Sequence, residues 1–300
     1  MKPLIIEAAI NGMTAKDINP AVPRSGDEIV ADALACLEAG ASIIHCHIED
    51  ARLGLADTVA AYASIFSRVL AEYPQALIYP TWRAFDSAEE RHAHLPPLAA
   101  QGLVRLSYAD TGSTNVGNGL DALGQPTGNS VYVNTYDDCR HAFDLSRMLG
   151  VGTMVAIFEP GFLRLVLAYQ HAGRLPAGTF VRFYFGGDHD LFTGKPTPVN
   201  FGMPPTLPCL EAYLDMLGTS SLPWAVAVLG GDVCAAPVGP AAVARGGHLR
   251  VGLEDYGGPR KPRNTDIIRE AVEIGKHAGR TPASATETLR LLGLPVIQAG

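Results

Sequence analysis

Short apolar runs alternate with longer amphipathic stretches along almost the whole chain. The runs are LIIEAAI (4–10), SIIHCH (42–47), ALIYP (76–80), LVRLS (103–107), GTMVAI (152–157), VRFYF (181–185), WAVAV (224–228) and HLRVGL (248–253). Each is brief and rich in Ile, Val and Leu, which predicts strands buried on both faces. Between them, apolar positions recur at helical spacing. Ser25 followed by Glu28 makes a capping box. Ile29, Ala33, Leu34 and Leu37 then line one face of a first helix, and Gly40 stops it. A second helix is predicted over 57–72, with Val59, Tyr62, Phe66 and Val69 on one stripe. Further helices are predicted near 87–101, 136–149, 160–172, 206–218, 235–245 and 264–278.

Eight strands alternating with eight helices predict an α/β fold, a TIM (β/α)8 barrel in one domain spanning 1–300. Residues from about 281 to 300 read as a C-terminal helical extension. A doubly wound open sheet is the structural rival. Two features favour the barrel. No GxGxxG follows the first strand, and the residues with metal-binding chemistry lie in the first and last thirds of the chain. Barrel closure sets strands one, two and eight side by side. The polar, Gly-rich segments 108–130 and 186–203 both follow strands and would reach over the catalytic face.

Composition narrows the class. The chain is 47% hydrophobic and 18% charged, an ordinary globular balance. A net charge of −7 argues against a nucleic-acid-binding surface. No apolar run approaches the roughly 20 residues of a membrane span. The opening MKPLIIEAAI is too polar at Glu7 for the apolar core of a signal peptide. A cytoplasmic protein is the expectation. Cys36, Cys46, Cys139, Cys209 and Cys234 form no CxxC pair and read as free thiols in a reducing compartment.

Candidate chemistry concentrates at two strand ends. His45 and His47 end the second strand two residues apart, so both imidazoles point the same way. Arg250, Gly252 and Glu254 share one face at the end of the eighth. A buried carboxylate needs a cation, and a buried arginine needs an anion. Two imidazoles and one carboxylate make a three-ligand set that leaves a position open, as catalytic zinc sites do. The same donors suit Mn²⁺, Co²⁺ or Fe²⁺. His92 and His94 have the same spacing within a helical pattern, where i and i+2 face apart, and they read as surface residues. Asp188-His189-Asp190 reads as a loop lining. Trp82, Tyr108 and Glu159 are candidates to shape a substrate pocket. Glu7 reads as a partner behind the imidazoles or as a buried pair for Arg105 or Arg250.

The segments PLIIEAAINGM, EAGASIIHCHIED and GGHLRVGLEDYGG resemble the β-keto acid cleavage enzymes, which include 3-keto-5-aminohexanoate cleavage enzyme. The resemblance runs from about residue 3 to about 290, and the two metal segments are its most specific parts. It implies a TIM barrel, a zinc ion and a homo-oligomer, with a tetramer favoured. It also implies an exchange in which a β-keto acid and acetyl-CoA give acetoacetate and a new acyl-CoA. Carried over by position, the zinc ligands fall on His45, His47 and Glu254. A functional arginine and aspartate fall on Arg250 and Asp255, and two hydroxyls fall on Thr81 and Ser113. Thr14 stands where some relatives have an acid, Glu7 stands where some have threonine, and of a glutamate-rich fifth strand only Glu159 survives. These departures imply a substrate side chain different from the namesake's.

In such an enzyme Asp255 is the candidate base, oriented by Arg250, taking a proton from the acetyl-CoA methyl group. The arginine should lower its pKa, and burial would have to offset that. Thr81 and Ser113 would hydrogen-bond a carboxylate or oxyanion. Arg83 would meet the CoA pyrophosphate or a second carboxylate. No phosphate-binding loop is present, so CoA use rests on the resemblance. Two rivals stay open: a class II aldolase or zinc hydrolase on the same ligands, and a non-catalytic metabolite- or metal-binding protein.

Overall fold

A computed structural model describes residues 2–116, 119–128, 130–190 and 193–296. Eight parallel strands form one sheet: β1 (Ile6–Ala9), β2 (Ile43–Cys46), β3 (Leu77–Pro80), β4 (Leu106–Asp110), β7 (Gly152–Ile157), β8 (Thr179–Gly186), β9 (Trp224–Leu229) and β10 (His248–Val251). Their order is β3-β2-β1-β10-β9-β8-β7-β4. The first strand pairs with the last in the register Ile6↔Leu249, Glu7↔Arg250 and Ala8↔Val251. This pairing decides for a barrel over a doubly wound sheet. The ring is nearly closed: β3 lies beside β4 without a hydrogen-bonded ladder among the described residues.

All eight predicted strands are present, within a few residues of their expected bounds. Helices cover the outside: α1 (Gly26–Ala39), α2 (Leu55–Glu72), α5 (Tyr136–Leu149), α6 (Pro160–His171), α7 (Leu207–Leu217), α8 (Val238–Ala244) and α9 (Asn264–His277). The Ser25–Glu28 capping box forms, and Gly40 ends α1 in the left-handed conformation at φ 114°.

Two expectations need correction. The stretch 87–101 is two short helices, α3 (Ala88–His92) and α4 (Leu95–Ala100). Pro96 and Pro97 lack the N–H groups that a continuous helix would require there. The break turns His94 inward, and His92 and His94 are both buried rather than surface residues. The His92 ring stacks on Tyr108, with centroids 4.8 Å apart. The second correction concerns segment 108–130, expected to be a loop. It carries strand β5 (Thr114–Val116), which pairs antiparallel with β6 (Ser130–Tyr132).

Strand alternation sorts the core. One parity, including Ile6, Ala8, Ile44, Ile78, Val181, Val226 and Leu249, packs outward against the helices. The other parity fills the barrel, where Ile5, Ile43, Leu77, Leu106, Met154 and Phe180 make an apolar floor. Helix α10 (Ala285–Leu292) closes that floor with Leu289 and Leu292. The remainder of the expected extension beyond 296 lies outside the described residues. No described helix is long and apolar enough to cross a membrane.

Candidate metal and keto-acid site

Above the apolar floor, the inward positions become polar. Glu7, His45, Tyr79 and Arg182 each stand one alternation step above a floor residue of their own strand, and Arg250 stands one step above the buried His248. Glu7 is fully buried, and its Oε1 accepts from Arg250 at 2.6 Å and from Arg182 at 2.9 Å. It also accepts the Tyr79 hydroxyl. Burial raises the Glu7 pKa, but the two guanidinium groups and the tyrosine outweigh it and hold the carboxyl at about 2. Of the partners expected for Glu7, Arg250 is present and Arg105 is not. Arg182 supplies the second cation.

At the barrel's C-terminal mouth, His45, His47 and Glu254 converge. His47 Nε2 lies 3.2 Å from His45 Nε2. Glu254 Oε2 lies 3.4 Å from His45 Nε2 and 3.5 Å from His47 Nε2. Ligands about 2.0–2.1 Å from a common tetrahedral centre stand roughly 3.3 Å apart, so these three edges fit a divalent cation. Glu254 Oε2 and His45 Nδ1 are buried without hydrogen-bond partners. Burial pushes the His45 pKa down to about 3, which keeps the imidazole neutral as a ligand must be. The donor set and the orphaned carboxylate oxygen therefore suit a bound metal ion.

The surroundings aim these side chains. Arg250 Nη2 holds Glu254 Oε1 at 2.9 Å. Asn11 clamps the His47 backbone, donating to its carbonyl at 2.9 Å and accepting its N–H at 2.8 Å. His45 stacks on Tyr79, with centroids 4.5 Å apart. Two glycines permit close approach. A Cβ on Gly12, at φ 52°, would stand 2.2 Å from Glu254 Cγ, and one on Gly252 would stand 2.2 Å from the Ala9 carbonyl oxygen.

Asp255 accepts from Arg250 Nε at 2.8 Å and Nη2 at 3.3 Å. Burial, helped by Glu254, raises its pKa above the usual carboxylate range despite Arg250. The expected contest between burial and the arginine goes to burial.

The cavity at this mouth is lined by His45, His47, Glu254 and Arg250, and by Thr81 and Tyr108. Trp82 and Asp190 also line it. Other expected residues stand elsewhere. Arg83 is spent on the carbonyls of Glu90 and Leu53, at 3.0 and 2.9 Å. Ser113 closes the β5–β6 hairpin on the backbone of Asn134. Glu159 accepts from Thr114 and from the Gly202 N–H, both at 2.9 Å, and so ties two loops together. Asp255 and Glu7 lie behind Arg250 rather than on the cavity wall. Sequence reasoning missed Arg182, Tyr79, Asp110 and Tyr132. The signal for Arg182 was present, a charge inside the otherwise apolar run VRFYF.

A family model described as beta-keto acid cleavage enzyme matches residues 3–294. The 3-keto-5-aminohexanoate cleavage enzyme of Acetoanaerobium sticklandii is 26% identical over 98% of this chain and 99% of its own. The 3-oxoadipate:acetyl-CoA acetyltransferase of Cupriavidus necator is 23% identical over 99% of this chain and 97% of its own. Among solved structures, apo ObcA superposes with a TM-score of 0.61 at 18% identity. The match covers 92% of this chain and 66% of that one, and supports the barrel fold. On the match across nearly its whole length, the chain belongs to the β-keto acid cleavage enzyme family.

Proposed function

We propose that this chain exchanges acyl groups between a β-keto acid and acetyl-CoA, giving acetoacetate and a new acyl-CoA, with His45, His47 and Glu254 holding a divalent metal ion, zinc in the first instance. The observation that carries the reading is the convergence of two imidazole nitrogens and one orphaned carboxylate oxygen within 3.5 Å of each other, beside the buried Arg250–Asp255 pair. A divalent cation bound there would supply Lewis-acid stabilisation for charge developing on the keto oxygen.

Atom balance corrects one step of the sequence-based expectation. Acetoacetate carries the acetyl group joined to the keto acid's own CH2–COO⁻ unit. The proton must therefore leave C2 of the keto acid, not the methyl of acetyl-CoA. Asp255 is bonded to Arg250 behind the cavity wall; it is the candidate acceptor once substrate binding draws it to the mouth, and its raised pKa makes it a stronger base than an ordinary carboxylate. The C2 carbanion then attacks the thioester carbonyl, forming a carbon–carbon bond and expelling the CoA thiolate. The thiolate attacks the C3 ketone, forming the new thioester as the C2–C3 bond breaks. The departing carbanion takes the proton back from Asp255. Arg250 orients Asp255 throughout and places positive charge on the cavity wall. Thr81 lines the cavity, and its hydroxyl is the candidate hydrogen-bond donor to the substrate carboxylate.

The test combines metal analysis of the purified protein with a panel of β-keto acids and acetyl-CoA, read as new acyl-CoA masses. Acyl-CoA that depends on both metal and acetyl-CoA supports the reading. Release of an aldehyde or free acid without acetyl-CoA would overturn it in favour of an aldolase or hydrolase.

A further inference from the structure

The cavity wall opposite Glu254 carries a carboxylate that the proposed exchange does not use. Asp110 ends β4, and β4 stands four places from β10 in either direction around the ring. Glu254 lies just beyond β10, so the two acids face each other across the mouth, and both line the cavity. A keto acid held by its reactive end near Glu254 directs its other end toward Asp110.

The surroundings of Asp110 suit one kind of group. One carboxylate oxygen accepts the Tyr132 hydroxyl, delivered by β6 of the hairpin. Trp82 and Phe158 flank Tyr132, with ring centroids 6.0 and 6.1 Å from it, and all three rings line the cavity. Among the described residues no lysine or arginine forms an ion pair with Asp110. Burial raises the Asp110 pKa, and the Tyr132 hydrogen bond and the more distant charges of Arg182, Arg91 and Arg250 oppose that in part. Arg182 and Arg250 are the cations on the described cavity wall, and both already pair with Glu7, Glu254 or Asp255.

A second carboxylate at the far end of the substrate would meet Asp110 with no cation left to receive it. A plain alkyl end would bury a carboxylate against hydrocarbon. A positively charged nitrogen answers both the carboxylate and the electron-rich ring faces. We propose that Asp110, held by Tyr132, is the specificity-determining residue of this site and selects β-keto acids that carry a cationic nitrogen at the end remote from the carboxylate. The proposal rests on the reading of the cavity as a β-keto acid site, and it brings the substrate closer to the namesake's than the departures at Thr14 and Glu7 imply.

The test compares kcat/KM for 5-amino-3-oxohexanoate, 3-oxohexanoate and 3-oxoadipate, each with acetyl-CoA, in the parent and in Asp110→Asn. The asparagine still accepts from Tyr132 but carries no charge. The parent is expected to favour the amine over the alkyl acid by about tenfold or more, and Asp110→Asn to remove most of that ratio. Asp110→Glu keeps the charge and should retain a preference for the amine. Parent preference for the alkyl or dicarboxylic acid, or a ratio unchanged in Asp110→Asn, overturns the proposal. If no acyl-CoA forms from any of the three, the catalytic reading fails, and calorimetric binding of unreactive 5-aminohexanoate and hexanoate decides this one separately. Tighter binding of the amine by the parent, lost in Asp110→Asn, upholds the proposal, and equal binding overturns it.

Discussion

Arg250 grips Oε1 of Glu254 at 2.9 Å, and that grip turns Oε2 toward both imidazoles of the candidate metal site. One carboxylate thus bridges a buried cation and an ion-binding position. Replacing Arg250 with lysine removes the planar fork that holds Glu254 and Asp255 together. Metal affinity of Arg250→Lys should fall about 10–100-fold, the usual cost of losing a group that orients a ligand. Equilibrium dialysis against zinc measures it. Affinity equal to that of the parent would remove Arg250 from the ligand-orienting role.

Gly12 is the close neighbour of the same carboxylate. A methyl group there would stand 2.2 Å from Glu254 Cγ, and φ of 52° disfavours any L side chain. Gly12→Ala should displace Glu254, lower metal content and cut turnover more than tenfold, while costing about 1–3 kcal/mol of stability. Metal analysis and thermal melts on one preparation separate the local effect from unfolding. Full metal content in a folded Gly12→Ala protein contradicts the account.

Glu7 neutralises two buried guanidinium groups at once. Glu7→Gln keeps the shape and the acceptor for Tyr79 but leaves Arg182 without a carboxylate partner and Arg250 with only Glu254 and Asp255. Breaking a buried pair by removing one partner costs about 3–5 kcal/mol. Urea denaturation at neutral pH should show a loss of that order, and a loss below about 1 kcal/mol would show that the network contributes little.

Asp32 on α1 supplies a pH test away from the site. It accepts from Asn264 Nδ2 at 2.6 Å, and burial pushes its pKa up from 3.8 to about 6. Because the folded pKa is the higher one, the protonated form favours the fold. Stability from this group is complete below the unfolded pKa and is lost as pH rises from about 4 through about 6. Asp32→Asn should therefore raise Tm relative to the parent more at pH 7.5 than at pH 4.5. A difference between the two proteins that is flat with pH would refute the assignment.

Much of this molecule is legible in one dimension. The eight strands follow from short runs of branched apolar residues, and most helices follow from period and caps. Failures occur where a local rule meets a neighbour. Pro96 and Pro97 break a helix whose apolar pattern looks continuous, and His92 and His94 are then buried against Tyr62 and Tyr108. The β5–β6 hairpin has too few apolar residues to announce itself, yet it delivers Tyr132 to the cavity. Arg83 and Glu159 carry charges that invite a substrate role, but backbone carbonyls and loop N–H groups already occupy them.

Alternation along a strand places His45 and His47 on one side without any knowledge of the rest of the chain, because successive side chains of an extended backbone must point oppositely. That Glu254 meets them follows only from closure of the ring, which brings β10 beside β1 and β1 beside β2. The same closure sets Glu7 against Arg250, 243 residues away, and against Arg182, 175 residues away. Periodicity is a property of neighbours along the backbone. The pairing of buried charges depends on which strands share an interior, and only the folded barrel determines that.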